Sequence, residues 1–319
     1  MRVVVTDYNF EDLGIEREVF ESIGAEVVGA DAGTEAEVRE AAEGADALLN
    51  QYAPVGPAAF DAAPDLRAVG RYGVGVDTVD LDAATERGVW VLNVPSYCED
   101  EVSTHTLSLL LACERQVARF DSAIEDGDWD WKIGRPIFRQ RGRTLGLAGF
   151  GKIPQRLARK ASTLGLDVIA YDPYVDREEL AEHDVEKVAF DGLLERSDAI
   201  SVHTPLTDET RGLFDREAFA AMDEESVIVN TARGAVIDVE ALADALEAGE
   251  IRGAGLDVLP EEPPDESPLV GREDVVLTPH VGWYSEESIV ELRRTVAEDV
   301  ARVLEGEAPE NPVNDLGPE

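Results

Sequence analysis

The stretch from Leu147 to Ser162, LAGFGKIPQRLARKAS, decides the fold. It begins in a strand-like apolar run, brings Gly149 and Gly151 close together, and continues into residues spaced as in a helix. Two glycines between a strand and a helix are typical of a dinucleotide-binding loop, where the first permits a tight turn and the second lets the backbone approach the pyrophosphate. Pro154 stands where a third glycine usually occurs, but a proline in the first helical turn is tolerated because its missing N–H would have no partner there. A structural turn that holds two glycines is the alternative.

A carboxylate farther along the chain supports the dinucleotide interpretation. Asp172 ends the next strand-like run, LDVIAYD, and lies 23 residues after Gly149. In dinucleotide-binding domains an acidic side chain about 20 residues after the glycines meets the adenosine ribose. It favours NAD, because a carboxylate repels the 2′-phosphate of NADP. The alternative for Asp172 is a solvated side chain that begins a turn before Pro173.

Outward from this loop, strand-like and helix-like segments alternate along the chain. The strand-like segments are VVVTD (3–7), AEVVGA (25–30), DALLN (46–50), LRAVGR (66–71) and VWVLNV (89–94), then TLGLAGF (144–150), LDVIAYD (166–172), DAISVHT (198–204), SVIVNTA (226–232), GAGLDVL (253–259) and DVVLTPH (274–280). Alternation of this kind predicts parallel sheets with helices on both faces. We therefore expect an α/β fold with two doubly wound parallel-sheet domains, Rossmann-like or flavodoxin-like. The apolar-faced segment 100–120 is expected to form one long connecting helix, and 285–306 an amphipathic closing helix.

Composition argues against several classes of partner. The 319 residues carry 68 acidic and 28 basic side chains, a formal net charge of −40, and only four of the basic residues are lysine. Because the acids are spread along the chain, we interpret them as the surface of a protein from a salt-in halophile, where molar salt screens the self-repulsion. The same charge argues against nucleic-acid binding, which needs a basic surface. Without an apolar run of about 18 residues or a signal-peptide pattern, and with only two cysteines, we expect no membrane association and a cytoplasmic location.

Five segments together resemble one known family. They are GRYGVGVDTVDL (70–81), VLNVPSYCEDEVSTHTLSLLL (91–111), LGLAGFGKIPQRLARKASTLGLDVIAYDP (145–173), VIVNTARGAVIDVEALADALEAGEIRGAGLDVLPEEPP (227–264) and VVLTPHVGWYSEES (275–288). In this order they are similar to the D-isomer-specific 2-hydroxyacid dehydrogenases, closest to the branch of the C-terminal-binding proteins and near the phosphoglycerate dehydrogenases. The resemblance implies an NAD-dependent oxidoreductase that transfers hydride between nicotinamide and a D-2-hydroxy acid / 2-keto acid pair.

The resemblance also implies a catalytic trio, which maps onto Arg233, Glu262 and His280. An imidazole can give a proton to the keto oxygen and remove it in the reverse direction near neutral pH. A neighbouring carboxylate would stabilise the imidazolium, and a guanidinium would pair with the substrate carboxylate through its fork of donors. Each residue also has a structural alternative: a surface arginine, one acid in an acidic loop, and a cap after Pro279. His105, inside the long helix, and His203 have weaker claims to catalysis.

Matching the remaining positions implies further contacts. The substrate-binding residues are expected to be Arg71, Val74, Gly75, Arg233 and Trp283. The cofactor-binding residues are expected to be Gly149, Gly151, Lys152, Ile153, Asp172, His203, Thr204, Pro205, Thr231, Ala232, Asp257 and His280. The glycines near Arg71 could instead serve a tight turn, Asp257 could cap or bridge loops, and Trp283 could be simple packing. No metal site is expected.

By the same resemblance, a substrate-binding domain should comprise residues 1–97 plus 286–319, and an NAD-binding Rossmann domain residues 98–285, with the active site in the cleft between them. A homodimer through the NAD-binding domain is expected. Phosphoglycerate dehydrogenase is the alternative enzyme, although LLNQYAPVG (48–56) lacks a basic residue and the sequence stops soon after the closing helix, so we expect no regulatory domain. An NAD(H)-sensing interaction protein is the alternative of another class, and the intact trio disfavours it.

Overall fold

The computed structural model describes residues 1–317 and divides the chain into two compact units. One unit comprises Met1–Tyr97 and Ser285–Glu319, and the other comprises Cys98–Tyr284. Each unit is built around its own parallel sheet, which confirms the expected α/β fold with two doubly wound sheets.

The sheet of the first unit has five parallel strands. They are β1 (Arg2–Val5), β2 (Glu26–Gly29), β3 (Ala47–Asn50), β4 (Ala68–Arg71) and β5 (Trp90–Leu92). Their spatial order is β2-β1-β3-β4-β5, the order of flavodoxin-like sheets. Each of the five strand-like segments of the first third of the sequence therefore forms a strand.

Helices cover this sheet, and the closing helix packs directly on it. They are α1 (Gly14–Glu21), α2 (Glu35–Ala42), α3 (Pro57–Ala62), α4 (Leu81–Glu86) and α12 (Glu286–Glu305). The α12 helix begins at a capping box formed by Ser285 and Ser288 and ends at Gly306, whose φ is 83°. A side chain on Gly70 of β4 would lie 2.7 Å from methyl groups of Val296 and Val300, so this glycine permits the close approach.

The sheet of the second unit has seven parallel strands. They are β6 (Thr144–Ala148), β7 (Asp167–Tyr171), β8 (Glu186–Lys187), β9 (Ala199–Val202), β10 (Val227–Asn230), β11 (Gly253–Leu256) and β12 (Val275–Leu277). The spatial order is β12-β11-β10-β9-β6-β7-β8, so the direction of winding reverses between β6 and β9, as in a Rossmann sheet. The two-residue strand β8 was not predicted because it is too short to carry a periodic pattern.

One sequence-based prediction about the helices of this unit is wrong. The helices are α5 (Glu99–Arg115), α6 (Val117–Glu125), α7 (Lys152–Thr163), α8 (Arg177–Ala181), α9 (Phe190–Arg196), α10 (Arg216–Ala220) and α11 (Val239–Ala248). The single helix expected over 100–120 is broken at Gln116, which has φ 54° and ψ 36°. Its side-chain amide donates to the Cys113 carbonyl at 2.9 Å, and its backbone N–H also caps the end of α5. A residue in this left-handed conformation ends a helix, and no glycine or proline marks the position in the sequence.

The inner strands of the second unit, β6, β9, β10 and β11, are buried on both faces. In β9, for example, Ile200 and Val202 belong to the apolar cluster on one face, whereas Ala199 belongs to the cluster on the other. Burial on both faces explains why these strands read as continuous apolar runs, and it leaves polar side chains to the strand ends. Within residues 1–317, no helix is long and apolar enough to cross a membrane.

Candidate active site

The predicted cofactor-binding residues of the second unit all follow the carboxyl ends of strands. These are Gly149–Ile153 after β6, Asp172 after β7, His203–Pro205 after β9, Thr231 and Ala232 after β10, Asp257 after β11, and His280 after β12. The carboxyl ends of parallel strands meet at one edge of a sheet, and doubly wound sheets bind ligands at this edge where the strand order reverses. The structure therefore places the whole predicted set along one edge.

The loop after β6 combines two glycines with the start of a helix. Gly149 has φ 100°, a backbone conformation that residues with a side chain rarely adopt. A Cβ atom there would lie 3.0 Å from the His203 carbonyl. Gly151 is the N-cap of α7, and a Cβ atom there would meet nothing within 4 Å. The loop thus packs tightly at its first glycine and opens at its second, where the amides of Lys152 and Ile153 begin the helix.

Pro154 does not disturb this helix. It is the third residue of α7 and is buried. The first intrahelical bond runs from the Gln155 N–H to the Gly151 carbonyl at 3.2 Å, so the proline occupies a position whose N–H would have no helical partner.

Asp172 is fixed beside the loop after β6. One carboxylate oxygen accepts the Phe150 N–H at 2.8 Å, and the other accepts the N–H groups of Tyr174 at 2.8 Å and Val175 at 3.3 Å. The side chain therefore holds the turn after Pro173 and the loop between the two glycines at the same time. Contact with a ribose stays a prediction.

The segment after β9 places two polar side chains, His203 and Thr204, at the edge of the sheet where doubly wound folds bind ligands. His203 Nε2 lies 2.8 Å from the Ser201 hydroxyl, and burial lowers the pKa of His203 to about 3, so the imidazole is neutral at working pH. The Thr204 hydroxyl is buried, and it has no hydrogen-bond partner among residues 1–317. Because buried hydroxyls are normally paired, this group next to Gly149 fits the approach of a polar ligand such as a dinucleotide.

His280 and Glu262 form the central pair of the site. His280 Nδ1 lies 2.7 Å from Glu262 Oε2, each side chain is 36% exposed, and Glu262 Oε1 accepts the Leu259 N–H at 2.9 Å. Burial alone would raise the pKa of the Glu262 carboxyl, but the hydrogen bond and charge of His280 and the Leu259 N–H outweigh it, and the pKa is lowered. The carboxylate is thus ionised and accepts the Nδ1 proton, which leaves Nε2 as the nitrogen that can exchange a proton with a substrate.

Arg233 lies in a loop packed against the loop of this pair. It follows β10 and is half-buried, and its guanidinium donates to the Ala232 carbonyl at 2.8 Å. A Cβ atom on the next residue, Gly234, would lie 2.0 Å from the carbonyl carbon of Leu259, so only glycine fits there. Since Leu259 donates to Glu262, this close backbone contact connects the arginine loop with the His280 pair.

Thr231, in the same loop, is held by a contact with α5. Its hydroxyl lies 2.8 Å from the hydroxyl of Thr106 on α5. The N–H of Ala232 donates to the side chain of Asn230 at 2.9 Å. The loop after β10 is therefore ordered by its own polar residues, and its contact with nicotinamide stays a prediction.

Asp257 bridges loops within the protein. Its buried carboxylate accepts the Thr278 hydroxyl at 2.6 Å and the N–H groups of Val281 and Gly282 at 2.9 and 2.8 Å, and its carbonyl accepts the His280 N–H at 2.8 Å. Burial would raise the pKa of Asp257, but these bonds together with one from His105 outweigh it, and the pKa is lowered. The structure thus supports the loop-bridging role for Asp257, and its cofactor contact stays a prediction.

Trp283 packs on the same loop. Its indole N–H donates to the His280 carbonyl at 2.9 Å, and its ring meets that of Tyr284 edge to face. This contact places the indole beside the loop that carries His280, while a role in lining a substrate pocket stays a prediction.

The remaining substrate-binding candidates lie in the first unit, in the loop after β4. Gly73 has φ 149°, and a Cβ atom there would lie 1.3 Å from an Arg71 guanidinium nitrogen, so the side chain of Arg71 lies against the bare α-carbon. Val74 is exposed, and its carbonyl accepts from Asn93 at 2.6 Å. Gly75 is half-buried. The glycine at position 73 therefore serves the close approach of the arginine within its own loop.

A carboxylate organises the loop after β3. Asp7 accepts the N–H groups of Gln51, Tyr52 and Ala53 at 3.0, 2.6 and 3.1 Å. Asn50 is buried, and its amide donates to the Ala53 carbonyl at 3.0 Å. This strand end is thus organised around the Asp7 carboxylate.

Fold and site together define a dinucleotide-binding α/β protein with a histidine–carboxylate pair at the ligand edge of its sheet. Residues 107–282, which are 176 of the 319 residues, match the family described as D-isomer specific 2-hydroxyacid dehydrogenase, NAD binding domain. The chain therefore belongs to the D-isomer-specific 2-hydroxyacid dehydrogenase family, and its cofactor is NAD.

Named relatives fall in the same family. D-3-phosphoglycerate dehydrogenase of Methanocaldococcus jannaschii is 39% identical over 98% of this chain and 59% of its own length. Glyoxylate reductase of Korarchaeum cryptofilum is 38% identical over 84% of this chain and 82% of its own length. The crystal structure of D-lactate dehydrogenase from Aquifex aeolicus, complexed with NAD and lactic acid, superposes with a TM-score of 0.88 and 26% identity, over 99% of this chain and 100% of that one.

The chain spans 59% of the length of the Methanocaldococcus phosphoglycerate dehydrogenase and 51% of the length of the one from Mycobacterium leprae. These relatives confirm the expected neighbourhood of the phosphoglycerate dehydrogenases.

Proposed function

We propose that the protein is an NAD-dependent D-2-hydroxyacid dehydrogenase, which transfers hydride between nicotinamide and a 2-hydroxy acid / 2-keto acid pair. The observation that carries the proposal is the 2.7 Å contact between His280 Nδ1 and Glu262 Oε2 at the ligand edge of the NAD-binding sheet. An NAD-binding protein without redox chemistry needs no such proton-transfer pair.

The protein's own groups supply proton transfer and charge. His280 Nε2 donates a proton to the keto oxygen in reduction and removes it in oxidation, while the Glu262 carboxylate stabilises the imidazolium form. Arg233 pairs with the substrate carboxylate and polarises the carbonyl. NAD, when bound, supplies or accepts the hydride.

The residues that would hold NAD fit it chemically. The first amides of α7 and the open space at Gly151 suit the pyrophosphate, and Asp172 suits a ribose hydroxyl. Thr204 contributes a buried hydroxyl that lacks a partner in the described chain. In the first unit, Arg71 and the amides of Val74 and Gly75 would bind the substrate carboxylate.

A panel of 2-keto acids tests the reaction. NADH oxidation is followed in molar KCl with glyoxylate, pyruvate, larger keto acids and 3-phosphohydroxypyruvate. Turnover of unphosphorylated keto acids is the expected result. NADH binding without turnover of any keto acid would overturn the proposal and favour the NAD(H)-sensing interaction protein.

Phosphoglycerate dehydrogenase is the second candidate, favoured by the name of the Methanocaldococcus relative. Against it stand Asp7 in the loop after β3 and the absence of a basic residue at positions 48–56. Selective turnover of 3-phosphohydroxypyruvate would decide for this candidate.

A homodimer through the NAD-binding unit is part of the proposal. On α6 and the segment after it, Val117, Ile124, Trp129 and Trp131 are exposed, with Trp129 at 88%. Exposed apolar groups clustered in one segment mark interaction surfaces. Light scattering in molar KCl should show a dimer that dissociates in the double variant Trp129→Ser/Trp131→Ser, but not in Tyr174→Ser, which removes an exposed aromatic ring elsewhere.

Salt dependence and location complete the proposal. The net charge of −40 and the four lysines support a halophilic protein, whose activity should rise with KCl concentration. A cytoplasmic location is supported by the sparse cysteines.

A further inference from the structure

We propose that His105 and Thr278 are positioning residues, which hold the Asp257 carboxylate and through it fix the backbone of the His280 loop. The inference rests on the proposed function, because it concerns the loop that presents the proton-transfer group. The sequence alone supports only a weak claim for His105 and none for Thr278.

The three side chains form one directed chain of hydrogen bonds. The Thr278 hydroxyl donates to Asp257 Oδ1 at 2.6 Å. Its single proton is thereby used, so it must accept from His105 Nε2, which lies 2.9 Å away. The same Nε2 lies 3.3 Å from Asp257 Oδ1. His105 therefore carries a proton on Nε2 and acts as a donor toward both partners.

Asp257 in turn needs these donors to remain an anion in a buried place. Its side chain is 3% exposed, and burial would favour the neutral acid. Its oxygens also accept the N–H groups of Val281 and Gly282. Loss of the His105 and Thr278 donors would leave a buried charge under-compensated and weaken its hold on those two amides.

The His280 backbone depends on this anchor. His280 has φ 53°, a left-handed conformation that a residue with a side chain adopts only where its surroundings impose it. Its N–H donates to the Asp257 carbonyl, and the next two N–H groups donate to the Asp257 carboxylate. The strained residue that bears the imidazole is thus tied on both sides to one aspartate.

Close packing places α5 where it can supply the donor. A Cβ atom on Gly282 would lie 2.9 Å from Asp257 Oδ2 and 3.3 Å from the His105 ring. A Cβ atom on Gly255 of β11 would lie 3.1 Å from Leu109 and Cys113 of α5. Bare α-carbons in the sheet and in the loop therefore let the helix bring its histidine against the aspartate.

The first test separates turnover from binding in the full-length protein. His105→Leu should lower kcat about 10- to 100-fold, since small misplacements of a reacting group have effects of this size, and leave the dissociation constant of NADH unchanged. His105→Gln keeps an N–H donor near the Nε2 position and should recover most of the lost turnover. Ser108→Ala, on the same helix and exposed, is the matched control and should behave as wild type.

A second pair of variants tests the same hydrogen bonds at Thr278. Thr278→Val removes the hydroxyl at nearly constant shape, and Thr278→Ser restores it. Because His105 and Thr278 hold each other and the same carboxylate, the double variant His105→Leu/Thr278→Val should lose less turnover than the product of the two single losses. Effects that multiply would overturn the inference.

A readout independent of turnover keeps this inference separate from the proposed function. Hydrogen–deuterium exchange of the peptide that contains residues 278–284 should be faster in His105→Leu and Thr278→Val than in wild type, and slow in the Gln and Ser variants. If wild type turns over no keto acid, the proposed function fails while the exchange measurement still decides the inference. Unchanged exchange in both His105→Leu and Thr278→Val would overturn it.

Discussion

Two paired carboxylates, one in each unit, differ in their burial and in the chemistry of their partners. Glu262 and His280 share a single hydrogen bond and remain partly exposed. Glu16 is fully buried, and both of its oxygens bind the Arg293 guanidinium, at 2.9 and 2.7 Å. The imidazole of the first pair is a group that donates and accepts protons, whereas the guanidinium of the second keeps its proton.

The surroundings of the buried pair support this distinction. The Tyr72 hydroxyl donates to Glu16 at 3.1 Å, and the Arg293 guanidinium stacks 4.7 Å above the Phe10 ring. Burial, and then the charge of Glu16, raises the pKa of Tyr72 well above its usual value, so it stays a donor. The hydrogen bonds of Glu16 with Tyr72 and Arg293 lie within the first unit. This pair therefore joins α1 and α12 without offering a group to a ligand.

The largest expected effect comes from the exposed pair. His280→Gln removes the proton-transfer group and should lower kcat about 10²- to 10⁴-fold, the range usual for general acid–base catalysis. The melting temperature and the dissociation constant of NADH should stay near wild type. Glu261→Gln, at the position next to Glu262, is the control. An equal loss of turnover and NADH affinity in His280→Gln would make His280 a structural residue.

The buried pair should respond in stability. Glu16→Gln leaves the Arg293 charge with only the exposed carboxylate of Asp12, 3.6 Å away, and should lower the free energy of unfolding by about 3–5 kcal/mol. Denaturant unfolding in molar KCl measures this. Glu18→Gln, which breaks an exposed pair with Arg294 at 3.2 Å, should cost at most about 1 kcal/mol. Similar effects of the two variants would contradict the role assigned to burial.

Removing only the charge of the exposed pair should have an intermediate effect. Glu262→Gln keeps an acceptor for His280 Nδ1 but loses the anion, and a charged hydrogen bond of about 1.5–3 kcal/mol corresponds to a kcat about 10- to 100-fold lower. Steady-state kinetics against a keto acid gives the value. A variant as active as wild type would show that the imidazolium needs no neighbouring charge.

The smallest effect extends the comparison to His203. Burial lowers the pKa of His203 from its usual value of 6.5 to about 3 in the folded protein. As the pH falls from 6.5 toward 3, the unfolded chain therefore binds a proton at His203 that the folded protein does not bind. The stability contributed by this neutral group is complete above pH 6.5 and is lost below it, by about 1 kcal/mol at pH 5.5. His203→Gln should therefore lose less stability than wild type between pH 7.5 and 5.5. Parallel losses in both proteins would argue against a neutral His203.

Much of the fold was predictable because its signals are local. The five strands of the first unit and six of the seven in the second carry apolar runs that any sheet must bury, and Gly149 and Asp172 lie at a spacing set by one strand–helix–strand unit. The break at Gln116 was missed because a polar residue can adopt the left-handed conformation without any mark in the sequence. The partnership of Glu262 with His280 followed from family resemblance, since neither residue alone indicates it.

What the sequence by itself determined is therefore the order of strands and helices, the phosphate loop and the acidic surface, all of which depend on neighbours along the chain. Only the tertiary structure decided which side chains meet across it. His105 and Thr278 are 173 positions apart, and Gly234 fits the backbone of Leu259 only after two loops have come together. Hydrogen bonds and close contacts of this kind depend on tenths of an ångström between distant segments, which no local pattern encodes.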